Sequence, residues 1–109
     1  MNKLDIANSI KKVMLALINN DVQSLSSYCQ DSIKPEYLFQ EIKEYPGNMT
    51  MPSEEAFLIY EELPIDLNNK VVWFNLWFDD KKSDLILELR LEDKENGEIR
   101  SMIRNLRVM

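Results

Sequence analysis

The sequence predicts a single α+β domain over residues 1–109, with N-terminal helices packed on one face of a twisted antiparallel sheet of three to four strands. Apolar residues recur at helical spacing in residues 1–45, and strand-like alternation replaces that spacing in residues 56–109. A chain of 109 residues has room for one hydrophobic core. With only two glycines and four prolines, no flexible linker is expected to divide it.

Three helices are predicted in residues 1–45. The first has an apolar stripe at intervals of three and four residues, and Asn19-Asn20 ends it. Asp21 is a favourable N-cap for a short second helix, and Pro35 suits the first turn of a third, where its missing N–H is not needed. The Tyr-Pro-Gly-Asn break at residues 45–48 ends the helical part. The stripe of the first helix consists of Ile6, Ile10, Val13, Met14, Leu17 and Ile18.

The sheet part begins ambiguously and then becomes clear. Residues 57–60 are predicted as a strand that Pro64 closes, and one helical turn capped by Ser53 is the alternative. Residues 71–78 are rich in β-branched and aromatic residues, and residues 85–91 alternate leucine with other residues, so both segments are predicted strands. We predict that these two strands are antiparallel neighbours, with Leu85, Leu87 and Leu89 in the core.

Two turns follow from local sequence. A polar turn is predicted over residues 79–83, between the two clear strands. The segment Glu95-Asn96-Gly97 contains the Asn-Gly pair that favours a tight hairpin, after which a final strand is expected from about Glu98 to Val108.

The charge balance excludes some partners. Nineteen acidic residues against thirteen basic ones give a net charge of −6, which repels nucleic acid and anionic membranes. A basic protein partner is compatible with this charge, although solubility alone also explains it. The N-terminus lacks the pattern of a signal peptide, no apolar run is long enough to span a membrane, and the single Cys29 cannot form an internal disulfide. A cytoplasmic location is therefore predicted.

No residue pattern indicates catalysis. The chain has no histidine to act as a general base, to activate Cys29 or to bind a metal, and Cys29 is expected to be a buried thiol. Gly47 and Gly97 are too far apart for a phosphate-binding loop. Asp79, Asp80 and Asp84 lie in a turn without the glycine and final glutamate of a calcium loop, so a solvated turn explains them better. We predict no enzymatic activity, cofactor or metal.

Strand alternation predicts a possible binding surface. In residues 71–78 the core face carries Val72, Phe74, Leu76 and Phe78, so Trp73 and Trp77 share the opposite side. Ile86, Glu88 and Arg90 of the next strand should lie on that same side. Tryptophan and arginine are enriched at interfaces, so this surface is a candidate interface. The alternative is that a loop, a helix or a second copy covers it.

Acidic residues could steer a partner to this surface. Glu54, Glu55, Glu61, Glu62 and Asp66 occur without an intervening base, and such a cluster would attract a basic protein. A solvated sheet edge explains the same residues. The predicted partner-binding residues are Trp73 and Trp77 as anchors, with Glu61, Glu62, Asp79, Asp80 and Asp84 as steering residues.

Residues 40–109 resemble a family of small bacterial domains of uncharacterised function. The resemblance rests on the Tyr-Pro-Gly break, on Leu76-Trp77 at a strand end, on an acidic turn leading to Ser83-Asp84-Leu85, and on the closing segment 105–109. Its members usually have Glu-Glu-Gly-Arg in the turn, and Asp and His where Asn105 and Arg107 stand here. Any chemistry that this Asp and His perform in relatives is not expected in this chain.

In size and charge the chain also resembles the immunity proteins encoded beside bacterial contact-dependent toxins. This resemblance implies a cytoplasmic inhibitor that binds and neutralises a cognate toxin domain by occlusion, in the expected case a nuclease with a basic surface. The alternatives are a small enzyme or ligand-binding domain with a cavity between helices and sheet, and an adaptor that forms a homodimer through the tryptophan side.

Overall fold

A computed structural model describes residues 1–29, 33–94 and 96–108 of the chain. In these residues three α-helices precede a five-stranded antiparallel sheet, which confirms the predicted α+β class and the antiparallel pairing. The elements are α1 (Lys3–Ile18), α2 (Val22–Tyr28), α3 (Pro35–Glu44), β1 (Met49–Thr50), a 3-10 helix (Glu54–Leu58), β2 (Glu61–Pro64), β3 (Asn69–Phe78), β4 (Lys81–Asp93) and β5 (Ile99–Val108).

Local interactions fix the starts of the helices, at Asp21 and Pro35 as predicted and also at Asn2, which was not predicted. At the start of α1 the Asn2 side chain accepts a hydrogen bond from the Asp5 amide at 2.8 Å, and the Asp5 carboxylate accepts one from the Asn2 amide at 3.1 Å. Asp21 caps α2 by accepting from the Ser24 amide at 3.1 Å, and Pro35 opens α3. Hydrogen bonds from the Ser24 hydroxyl and amide lower the pKa of Asp21.

The sheet has the strand order β1-β3-β4-β5, and β2 also pairs with β3. Because β4 occupies one edge of β3, β1 and β2 lie one after the other along the opposite edge. With these two short strands the described sheet has five strands, more than the predicted three to four. All four residues of β2 are exposed and show no apolar alternation, so hydrophobic periodicity gave no signal for this strand.

The prediction of a strand at residues 57–60 is wrong. The structure has a 3-10 helix at Glu54–Leu58, with Ser53 at the N-cap position, and β2 begins only at Glu61. Phe57 is buried against the core, and its ring stacks on Phe74 with centroids 5.5 Å apart. Burial of this ring under α1 therefore decides the local conformation.

Turn and strand boundaries differ from the predicted ones by a few residues. Only Asp79 and Asp80 separate β3 from β4, with φ angles of 52° and 62°, and the rest of the predicted polar turn belongs to β4. Two consecutive positive φ angles match the twist of a tight hairpin. The hairpin predicted at Asn96-Gly97 is present, with β5 beginning at Ile99. Glu95, also in that predicted turn, lies outside the described residues.

The core lies between the helices and one face of the sheet. Leu85, Leu87 and Leu89 are buried there, and β4 pairs antiparallel with β3, so both parts of that prediction are confirmed. The helices contribute the predicted apolar stripe of α1 together with Leu25 and Leu38. The sheet contributes Val72, Phe74, Leu76, Phe78, Leu85, Leu87, Leu89, Leu91, Ile103 and Leu106.

Gly47 and Gly97 provide a matched pair of substitutions. Both have positive φ angles, +97° and +83°, but a Cβ on Gly47 would lie 2.6 Å from Asp79 Oδ2, whereas one on Gly97 would meet nothing within 4 Å. Moving the Asp79 carboxylate would break its hydrogen bond with the Asn48 amide. We expect Gly97→Ala to cost about 1 kcal/mol of unfolding free energy and Gly47→Ala about 2–3 kcal/mol, measured by urea denaturation. Equal costs for the two substitutions would show that the Asp79 carboxylate can move aside without loss of stability.

Candidate functional site

The helices pack on one face of the sheet, and no described helix packs over the other. Trp73, Trp77, Ile86 and Met102 are half-buried, yet none of them belongs to the core or to the residues packed against it. Val71 is buried and is also outside the core cluster. We call this second side the open face. It carries Val71, Trp73, Asn75 and Trp77 of β3, Ile86, Glu88, Arg90 and Glu92 of β4, and the β5 residues paired with them.

Trp73 is held in place on the open face. It lies opposite Glu88 in the β3–β4 register, and its indole Nε1 donates a hydrogen bond to Glu88 Oε1 at 2.7 Å. The other carboxylate oxygen of Glu88 is 3.6 Å from Arg104 Nε. On the far side of Trp73, Glu61 of β2 is its partner in register. A tryptophan fixed in this way loses little conformational entropy when a partner packs on it.

Trp77 lies four residues further along β3, roughly 13 Å from Trp73 on the same side, with Asn75 between them. Thr50 of β1 and Lys82 of β4 are its neighbours in register. The structure therefore places both predicted anchors together on the side away from the core, as strand alternation predicted.

The predicted steering acids are not gathered around the tryptophans. Only Glu61 shares their side of the sheet, because Glu62 pairs in register with core-facing Val72 and its carboxylate lies 3.5 Å from Lys70 Nζ. The other three lie near the β3–β4 turn, where they serve the fold. Asp79 accepts from the Asn48 amide, the Asp80 amide donates to Thr50 Oγ1, and Asp84 accepts from the Tyr45 hydroxyl.

The open face also has a feature that the sequence analysis missed. All four arginines of the chain, Arg90, Arg100, Arg104 and Arg107, lie on it. In register, Arg100 lies opposite Glu92 and Arg107 opposite Ile86, while Arg104 is the extra residue of a bulge. The alternation of Arg100 and Met102 with Ile99, Ser101 and Ile103 carried part of this signal. The bulge interrupts that alternation and brings Arg104 beside Glu88.

The geometry of Cys29 favours an unreactive thiol. Cys29 follows α2 as its C-cap and is half-buried, whereas the sequence predicted a buried position within the helix. Burial raises the pKa of the thiol, and the negative charge of Glu36 raises it further. A raised pKa reduces the thiolate fraction at neutral pH.

Metal removal should leave the fold unchanged. In residues 1–29, 33–94 and 96–108, no group of three or more histidine, cysteine, aspartate or glutamate residues is arranged to hold a metal ion. The chain also has no histidine and only one cysteine. We expect the melting temperature to be the same with and without EDTA, as followed by circular dichroism. A fall of several degrees in EDTA would contradict this.

The space between helices and sheet is filled by side chains. Ile10 and Met14 of α1 are fully buried, as are Leu76 and Leu87 of the sheet. A polar cleft of about 500 Å³ lies between α1 and the start of β5, and one of about 280 Å³ lies where α1 meets β2; both open to solvent. Among the described residues these clefts are peripheral, so they give no support to a ligand cavity between the two layers.

Comparison with known proteins assigns a family. The sequence model of a family described as domain of unknown function DUF7668 matches residues 14–109. The chain belongs to this family. The match begins within α1 and includes the whole sheet, so the open face lies inside the DUF7668 domain. This agrees with the predicted resemblance to an uncharacterised domain family.

No curated protein and no solved structure matches this DUF7668 domain. None of its described helices is both long enough and apolar enough to cross a membrane.

Proposed function

We propose that this DUF7668 domain binds another protein through the open face, with Trp73 and Trp77 as anchors. One observation carries the proposal: both tryptophans of the chain lie on the same strand and on the same sheet face, which no described helix covers. Burying such side chains under a partner removes apolar surface from water, and tryptophan is among the residues that dominate binding energies.

The size of the open face suits this role. The three long strands β3, β4 and β5 lie about 4.8 Å apart and are roughly 30 Å long or longer, and β1 and β2 together extend along the outer edge of β3. They give a surface of about 20 by 30 Å. That is comparable in scale with one side of a standard protein interface, which buries roughly 800 Å² per partner. The indole of Trp73 is already oriented by Glu88, so part of the surface is ordered before binding.

The specific form that we propose is inhibition. The domain would act in the cytoplasm as an immunity protein that neutralises a cognate toxin domain, such as a nuclease, by covering its active site. Occlusion needs an interface and no catalytic residue, in keeping with a chain that has no histidine. The small size and net charge of −6 support this form by analogy.

The charge of the domain indicates how the toxin would approach. With a net charge of −6, the domain would attract a protein with a basic surface and speed its association. Glu61, Glu62, Asp79, Asp80 and Asp84 are all exposed and are the proposed steering residues. Added salt should slow this association, because charges are screened over about 8 Å at physiological ionic strength.

Co-expression with the product of the neighbouring gene tests the proposal. We expect the two proteins to be captured together from solution, with less complex formed at high salt than at low salt. We also expect the domain to protect cells from that gene product's toxic region. Failure of any neighbouring gene product to bind, or binding without protection, would contradict the inhibitor function.

A further inference from the structure

We infer that the open face receives a protein surface bearing carboxylate groups, which the arginines of β4 and β5 bind beside the tryptophan anchors. This inference rests on the proposed binding function and names the chemistry of the partner at the contact. The partner's net charge, which governs its approach, is a separate property from the groups that it presents at the contact.

The distribution of charge carries the inference. The open face holds the four arginines and Lys82 against Glu61, Glu88 and Glu92. Among the other described residues, eight are basic and fourteen are acidic. The open face is thus a basic surface on an acidic protein, and its complement is a surface with excess negative charge.

The arginines are also available for a partner. Arg100, Arg104 and Arg107 are exposed, and neither Arg100 nor Arg107 forms an ion pair with any residue of the described ranges. Arg104 approaches Glu88 through its Nε at 3.6 Å and is itself partly exposed. The guanidinium group binds a carboxylate through two parallel hydrogen bonds, a geometry that lysine cannot provide. Of the three lysines on β3 and β4, only Lys82 lies on this face, because Lys70 and Lys81 pair in register with the core residues Leu91 and Phe78.

Apolar residues lie between the charged ones. Ile86 is the neighbour in register of both Asn75 on β3 and Arg107 on β5. A partner that packs on Ile86 and Trp77 would bring its flanking carboxylates next to Arg107. An anchor surrounded by charge-assisted hydrogen bonds is the arrangement of a specific protein interface.

A carboxylate-bearing protein fits better than the two other occupants of such a face. Phosphates also bind guanidinium groups, but a nucleic acid extending past this face would meet a chain whose other described charged residues are mostly acidic. Binding of a second copy would bring together two chains that each have a net charge of −6, which repel each other. A toxin that is basic overall would be attracted by the net negative charge of the domain, and carboxylates at its contact surface would pair with the arginines.

Peptide binding followed by NMR tests the inference without the natural partner. The probes are hexaglutamate, hexalysine and a single-stranded hexathymidylate, each added at low salt to the ¹⁵N-labelled full chain. The chain has two tryptophans and four arginines, so the indole and arginine Nε resonances report directly on the open face. We expect hexaglutamate to shift the resonances of Trp73, Trp77, Arg104 and Arg107.

Charge reversal provides the matched comparison. Arg107→Glu should weaken hexaglutamate binding about tenfold, since a charge-assisted pair is lost. Lys12→Glu makes the same charge change at an exposed site on α1 and should weaken binding by less than about threefold, through the overall field alone. Arg107→Gln removes the charge with less perturbation, and an unchanged circular dichroism spectrum checks that each variant folds.

Three results would overturn the inference. These are hexaglutamate shifts that are absent or equally affected by both reversals, tighter binding of hexathymidylate at the open face, and a dimer whose dilution shifts the indole resonances. Because the probes need no toxin, failure of the neighbouring gene product to bind would contradict the proposed function without altering this result. Conversely, a complex that forms despite a negative peptide result would leave the proposed function intact.

Discussion

Truncation of Leu87 to alanine should lower the free energy of unfolding by about 2–5 kcal/mol. Leu87 is fully buried in the middle of β4 and pairs in register with Phe74 on β3 and Leu106 on β5. Helices close the core above it and neighbouring strands flank it, so the surroundings cannot easily collapse into the cavity that the truncation leaves. Urea denaturation of the two proteins measures the difference.

Ile86→Ala is the matched control on the same strand. Ile86 is adjacent to Leu87 in the sequence and is half-buried on the open face. Its truncation should lower the free energy of unfolding by less than half as much as that of Leu87, because the Ile86 side chain already contacts water. A cost below about half a kcal/mol for Leu87, or a larger cost for Ile86 than for Leu87, would mean that the two faces of β4 are reversed.

Strong local periodicity made much of this fold predictable. Four leucines at every second position of β4 define its buried side, and the apolar spacing of α1 defines its stripe. The caps at Asn2 and Asp21 act within three residues of themselves, so they need no knowledge of the tertiary structure. Where the pattern is regular and the interaction local, the sequence and the structure agree.

Elements that depend on distant partners were not predictable in the same way. The 3-10 helix forms because Phe57 stacks on Phe74, seventeen positions away in the chain. β1 and β2 are strands only because the free edge of β3 offers them hydrogen bonds. Neither relationship can be obtained from propensity alone.

The same distinction between local pattern and distant partners applies to the candidate site. Alternation placed Trp73 and Trp77 on one side of β3 correctly, because the extra residues of the register shift between Asn75 and Trp77 belong to β4 and not to β3. The arginine cluster depends on the register of β4 with β5 and on the bulge at Arg104, which brings that side chain beside Glu88. The predicted steering residue Asp79 also accepts a hydrogen bond from the Asn48 amide beside Gly47, a contact between distant residues that its place in the sequence did not indicate.

Truncation of Trp77 to alanine should weaken binding of the partner protein about 30-fold or more, equivalent to about 2 kcal/mol, if Trp77 is an anchor. The loss should appear mainly as faster dissociation, because an anchor acts after the two proteins have met. Glu61→Lys should instead lower chiefly the association rate, because it changes the steering charge. Surface plasmon resonance separates the two rates.

The central claim is that the open face is the binding surface, and the dissociation constant of the complex tests it most directly. Isothermal titration calorimetry of the neighbouring gene product should be run against the wild type, the double variant Trp73→Ala/Trp77→Ala, and Tyr37→Ala. Tyr37 is a matched control because it is an aromatic residue, 43% exposed, on α3 at the opposite side of the sheet. We expect the double variant to bind at least about 30-fold more weakly and Tyr37→Ala to bind like the wild type. A folded double variant with unchanged affinity, or an equal loss in Tyr37→Ala, would contradict the claim.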